Sequence, residues 1–200
     1  MSSGTYITGT SLIALLIVVG STANLSAGDD GRVLFDFRKP EAAKLWQPVN
    51  DGVMGGVSDG KFRITEQGMM EFYGTLSLEN NGGFASVRST PKKLGLADGD
   101  VIVARVRGDG RQYYLNLRAA TRRIAFSYRA SFETKKGKWQ EQRVPLSKFQ
   151  ATSFGRPIRD AAPVDPREVT SIGFLLADKK AGPFKLEVEW IKALKPGAGE

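Results

Sequence analysis

The chain has 200 residues, 41% of them hydrophobic, and a formal net charge of +8. It contains no histidine and no cysteine, which excludes Cys/His zinc sites, disulfides and any nucleophile system built on Ser-His-Asp or Cys-His. The length suits one domain, alone or behind a leader, and 23 glycines among many short apolar runs point to an all-β domain.

The first element in chain order is SLIALLIVVG (Ser11 to Gly20), the one strongly apolar run without charges. It is shorter than the ~20 residues that span a bilayer and fits the apolar region of a secretory signal. STANLSAG follows, with small residues suited to cleavage after Ala23 or Ala27, although the first ten residues carry no Lys or Arg. Residues 1–27 are therefore expected to be a signal peptide or N-terminal anchor, residues 28–195 the domain, and 196–200 a loose tail. The expected location is extracytoplasmic if the leader is cleaved and membrane-anchored if it is not.

RVLFDF (Arg32 to Phe37) reads as a first strand, and KPEAAKLW as a single helical turn after Pro40. Next comes a glycine-rich stretch, LWQPVNDGVMGGVSDG (Leu45 to Gly60). Beyond it lie KFRIT, MMEFYGTLSL, GFASVRS, DVIVARVRG, RQYYLNLRA, RIAFSYRASF, KWQEQRVPL, VTSIGFLLAD and PFKLEVEWIKAL, each bounded by Gly, Asn or Asp. That spacing matches an antiparallel sandwich rather than βαβ units. LSKF (Leu146 to Phe149) and DPREV (Asp165 to Val169) each suit one helical turn.

Period-2 alternation assigns the faces. Tyr113, Leu115 and Leu117 are expected in the core, with Gln112, Tyr114, Asn116 and Arg118 outside. Ile124, Phe126 and Tyr128 alternate with Arg123, Ser127 and Arg129. Phe184, Leu186, Val188 and Trp190 alternate with Lys185, Glu187 and Glu189. If the two middle strands are neighbours, Tyr114, Asn116, Arg118, Arg123, Ser127 and Arg129 form one basic, hydrogen-bonding wall. Such a wall suits a sugar, an anionic glycan or an acidic protein loop.

WQPVNDGVMGGVSDG, RVRGDGRQYYLNLR, GKWQEQRVPLSKF, FGRPI and VTSIGFLLADKKAGPFKLEVEWIKAL occur in this order over about Leu34 to Leu194. On these motifs the sequence resembles the CIA30 family, the complex I intermediate-associated proteins. The resemblance implies a galactose-binding-domain-like β-sandwich of jelly-roll type with only short helical turns. It also implies a chaperone-like role in assembling respiratory complex I, with no established catalytic residues. That role belongs to the mitochondrial matrix side, equivalent to the bacterial cytoplasm, whereas the leader points to export.

The glycine-rich stretch fits neither a P-loop nor a dinucleotide fingerprint, because Lys61 comes late and opens a strand. Its oxygen donors lack EF-hand spacing, and no metal or cofactor is assigned. A rigid corner closing one end of the sandwich is the expected reading. Gly52, Gly55, Gly56 and Gly60 would permit tight backbone, Asn50 and Asp51 would fix the turn, and Val53, Met54 and Val57 would tuck under the sandwich beside Trp46. The corner, with an exposed edge of Trp46 and with Arg107 and Asp109 of the nearby RGDG loop, is also a candidate rim of a binding site, and Gly108 and Gly110 are expected to shape that loop as a β-turn.

The leading functional expectation is a non-enzymatic binding or assembly module that engages protein partners, of respiratory complexes or the cell envelope, near a membrane. The alternative is an exported carbohydrate-binding module using Tyr114, Asn116, Arg118 and Trp46. Specific nucleic-acid recognition is not expected.

Overall fold

The computed structural model describes Met1, Gly4 and residues 31–39, 41–120 and 126–197. The leader, Pro40, Arg123, Ile124 and the last three residues lie outside these. Thirteen strands form among the described residues: β1 (Arg32–Asp36), β2 (Trp46–Pro48), β3 (Asp59–Ile64), β4 (Met70–Leu76), β5 (Ala85–Ser89), β6 (Val101–Gly108), β7 (Gln112–Ala119), β8 (Phe126–Glu133), β9 (Trp139–Pro145), β10 (Gln150–Ser153), β11 (Arg156–Pro157), β12 (Val169–Leu176) and β13 (Gly182–Leu194). They build two antiparallel sheets. One runs β3-β4-β13-β6-β9, with β1 also paired to β13; the other runs β11-β10-β8-β7-β12-β5-β2. Most connections cross from one sheet to the other; β3–β4, β7–β8 and β10–β11–β12 stay within one sheet.

The expected helical turns appear as single 3-10 turns at Ala42–Leu45, Leu146–Lys148 and Pro166–Glu168. The third opens on Asp165, whose carboxylate accepts the Arg167 N–H at 3.0 Å. No helix among the described residues is long and apolar enough to cross a membrane.

The core lies between the sheets. Tyr113, Leu115 and Leu117 face inward and are fully buried, as the alternation requires. They meet Phe72, Ile102, Val106, Phe174, Leu186 and Val188 from both layers. Tyr113 brings a polar group with it: its hydroxyl reaches the Asp109 carboxylate at 3.1 Å, and burial holds its phenol well above the ordinary value.

The alternation breaks at Trp190. A register shift between Val188 and Trp190 inserts an extra residue into β13, so Ile191 enters the core and Trp190 stays half-exposed beneath Lys192. Three short strands, β2, β10 and β11, were not expected. Each has two to four residues, too few to show a period.

Candidate functional site: an arginine-bearing sheet face

The residues expected to form a binding rim do not gather. Trp46 is only 4% exposed and packs edge-on against Phe35 and flat against Phe174, with centroids 5.0 and 6.5 Å away. It is a core residue, because β2 pairs with β5 and turns the indole inward at Ser89. No ring face is left for a sugar.

Asp51 is fully buried, and its carboxylate accepts four bonds: Ser58 N–H at 2.9 Å, Ser58 Oγ–H at 2.6 Å, Gly83 N–H at 2.7 Å and Phe84 N–H at 3.2 Å. Burial, the largest single influence, would raise its pKa; the donors together outweigh it and hold the carboxyl below the usual aspartate value. Asn50 donates to the Gly60 carbonyl at 2.9 Å. The corner is thus a clamp between the β2–β3 and β4–β5 connections. Gly55 closes its turn at φ +89°, and a Cβ on Gly60 would stand 2.6 Å from Asn50 Oδ1. Gly52 has neither a positive φ nor a close neighbour, so the expectation that backbone geometry requires glycine there is corrected. Val53, Met54 and Val57 do not tuck under the sandwich: all three are at least half-exposed, because the clamp turns the segment outward.

Arg107 lies on the outer face of the six-stranded sheet and not on a loop rim. It grips Glu187 at 2.5 and 2.8 Å and lies over the Trp139 ring. Asp109 is consumed internally by Tyr113 Oη–H and the N–H groups of Arg111 and Lys185. Gly108 gives way to Thr134 and Gly110 turns at φ +95°. The RGDG turn is therefore structural.

On that sheet face the arginines are paired with carboxylates. Arg63, Glu71, Glu187, Arg107 and Trp139 stand in register across five strands. Lys185 bridges the two glutamates at 3.5 and 3.8 Å, and Arg105 holds Glu189 at 2.6 Å.

The outer face of the seven-stranded sheet has no such balance. One register row runs Gln150, Arg129, Asn116, Gly173, Arg88, Gln47 across β10, β8, β7, β12, β5 and β2. Arg118 stands two residues beyond Asn116 on the same face, opposite Ser171, and Tyr114 two residues before it, opposite Leu175. Burial draws the pKa of Arg88, Arg118 and Arg129 below the ordinary arginine value, and the neighbouring Arg88 and Arg129 charges add to this at Arg118. Among the described residues the side chains of Arg88 and Arg129 have neither ion pair nor hydrogen bond, and the Arg129 Nε and Asn116 Oδ1 atoms are buried without a partner. Gly173 makes room for the row: a Cβ there would stand 2.9 Å from the Arg88 Cβ.

The structure thus brings together Tyr114, Asn116, Arg118 and Arg129 as the alternation required, while Arg123 lies outside the described residues. It adds Arg88, legible in hindsight as the outward residue of GFASVRS. It also adds Lys148 and Lys179, which sequence could not place. They join Tyr114 and Arg129 in lining an open cleft of about 320 Å³. The half-buried guanidinium groups of Arg88 and Arg129, with no internal carboxylate among the described residues, are poised to pair with an external anion. No group of three or more acidic residues among the described residues is arranged to hold a metal ion.

The sequence profile described as Complex I intermediate-associated protein 30 (CIA30) matches residues 35–188. The chain belongs to the CIA30 family. Similar proteins include the mitochondrial complex I intermediate-associated protein 30 of Mus musculus, 33% identical over 82% of this chain and 56% of that protein. The Drosophila melanogaster protein of the same name is 28% identical over 80% and 61%. The CIA30 chain here thus spans little more than half the length of these relatives. Among solved structures, a family 11 carbohydrate-binding module from Clostridium thermocellum, in complex with a mixed-linked tetrasaccharide, has a TM-score of 0.57 at 18% identity. It covers 82% of this chain and 95% of the module. An exo-β-agarase matches at TM-score 0.55 and 12% identity, over 84% of this chain and 26% of the enzyme. At these identities the likeness is one of fold alone, a galactose-binding-like β-sandwich.

Proposed function

We propose that this CIA30 chain is a non-enzymatic assembly module that binds an acidic face of a protein partner, a subunit of a respiratory complex I intermediate, through the arginine row of its seven-stranded sheet. The observation that carries this is the contrast between its two faces: one neutralises its arginines with glutamates, and the other leaves Arg88 and Arg129 without a partner. Family membership supplies the kind of partner. The absence of His and Cys and the internal engagement of Asp51, Asp109, Glu71 and Glu187 favour binding over catalysis. The apolar leader is proposed to bring the chain to a membrane, and N-terminal sequencing of the protein from its own host tests whether it is removed.

A photo-crosslinking residue at Gln47, the exposed end of the row, tests the reading in the native host. Crosslinks to a complex I subunit, absent when the probe replaces Lys61 on the opposite sheet, are expected. The reverse pattern, or crosslinks to no respiratory subunit, overturns it.

A second reading is glycan binding on the same face. It is favoured by the cleft beside the row, where Tyr114 supplies a ring and Ser131 and Gln150 supply hydrogen-bonding groups.

A further inference from the structure

The cleft is more selective than a general sugar-binding groove. Arg129, Lys148 and Lys179 line it, and among the described residues no acidic side chain does. Arg129 is the inner of the three cations: it is half-buried and its Nε lacks a hydrogen-bond partner. Lys148, at the end of the 3-10 turn before β10, and Lys179, in the β12–β13 connection, are exposed and approach from different elements. Three cations from three parts of the chain therefore face one volume, and among the described residues no carboxylate in its lining neutralises them.

The backbone keeps this volume open. β10 and β11 form a hairpin whose two-residue turn, Phe154–Gly155, takes positive φ at both positions. Gly155 lines the cleft, and a Cβ there would sit 3.2 Å from Arg129 Nη1, so the glycine leaves the guanidinium accessible. Phe154, in a left-handed conformation uncommon for a bulky residue, stands 74% exposed beside Gly155 in the same turn. The cleft thus has one ring in its wall, Tyr114, and a second next to its lip. About 320 Å³ is more than a single carboxylate or phosphate fills.

We infer that the cleft binds an anionic sugar: a hydroxylated ring carrying a carboxylate or phosphate, with the oxyanion on Arg129 and the lysines and the ring against Tyr114. This deepens the glycan reading and rests on it. It shares Arg129 with the protein-partner reading, which the crosslinking at Gln47 tests separately. The same chemistry occurs in a free sugar acid or sugar phosphate and in the charged end of a polysaccharide.

The test is titration calorimetry of the full chain with D-glucuronate, D-glucose 6-phosphate and an oligomer ending in a uronate. D-glucose, cellotetraose, acetate and inorganic phosphate are the comparators. At least one anionic sugar is expected to bind at least about tenfold more tightly than glucose and than the bare anions, and salt should weaken it. Preference for the oligomer identifies a polymer end; preference for a monosaccharide identifies a free ligand. R129Q should lower affinity at least about tenfold. The double variant K148Q/K179Q, at exposed positions that leave the core untouched, should weaken it severalfold.

Equal affinity for neutral and charged sugars would overturn the charge assignment while leaving the glycan reading standing. Equal affinity for bare anions would reduce the cleft to a nonspecific cationic patch. Binding of none of these sugars would remove both readings. Binding unchanged by both variants would place the site elsewhere.

Discussion

Replacing Asp51 with Asn removes the charge from the clamp and keeps its shape. The native carboxylate accepts three donors on Oδ2 and one on Oδ1. An amide offers one acceptor oxygen. Turned toward Ser58 Oγ, Gly83 and Phe84, it aims its amino group at the Ser58 N–H and leaves that donor buried and unpaired, at a cost of ~1–3 kcal/mol. The three remaining bonds lose their charge assistance, which contributes a further ~1–2 kcal/mol. The expected loss is about 3–4 kcal/mol, read as a fall in the urea midpoint at unchanged m and a drop of roughly 10 °C in Tm.

The loss should depend on pH. Asp51 has a folded pKa below its unfolded one, so its contribution is fully present above the unfolded value, near 4. It fades as pH falls through the depressed folded value. The gap between wild type and variant should therefore be widest at neutral pH and narrow at strongly acidic pH. A variant within ~0.5 kcal/mol of wild type at pH 7, or a gap that widens on acidification, would refute the clamp.

Arg129→Met should stabilise the isolated fold by about 1 kcal/mol, because it removes a half-buried, unpartnered guanidinium, and it should weaken partner binding; urea unfolding and the crosslinking yield read the two effects. Gly173→Ala should cost ~1–3 kcal/mol in urea unfolding, since the new Cβ meets Arg88 Cβ at 2.9 Å. Trp46→Ala should cost ~3–5 kcal/mol as a core deletion, and the Trp46 emission of the wild type should not respond to glycans. Acid should destabilise the wild type progressively below pH 4, as Asp36, held down to about 2 by the Arg38 hydrogen bond, and Asp51, Asp178 and Glu187, all depressed, become protonated.

The sandwich was legible because its long strands carry a clean period of two. β7 is the plainest case, where Tyr113, Leu115 and Leu117 are buried and Tyr114, Asn116 and Arg118 are not. The same rule failed at Trp190, where a bulge shifts the phase without a local sequence signal. Loop chemistry was the least legible. Asn50, Asp51, Arg107 and Asp109 have the side chains of a binding rim, yet each is spent inside the fold, which depends on contacts such as Gly83 to Asp51 that are distant in sequence. Trp46 misled for a related reason: a single aromatic in a glycine-rich stretch shows no period, so its burial could not be seen. The charge difference between the two faces was hidden as well. Both carry arginines, and only strand pairing reveals that Glu71 and Glu187 stand beside Arg63 and Arg107 while no acid stands beside Arg88 or Arg129.

The arginine row is the surface through which this CIA30 chain is proposed to act. The most direct measurement is complementation in its own host. The gene is deleted and restored as wild type, as R88E/R129E, or as K136E/K138E, which reverses two exposed turn lysines away from the row. Assembled complex I is quantified on native gels, with the level of each variant protein matched. Deletion is expected to lower assembled complex I, R88E/R129E to fail to restore it, and K136E/K138E to restore it. Full restoration by R88E/R129E, or no dependence of complex I on the gene at all, would contradict that proposal.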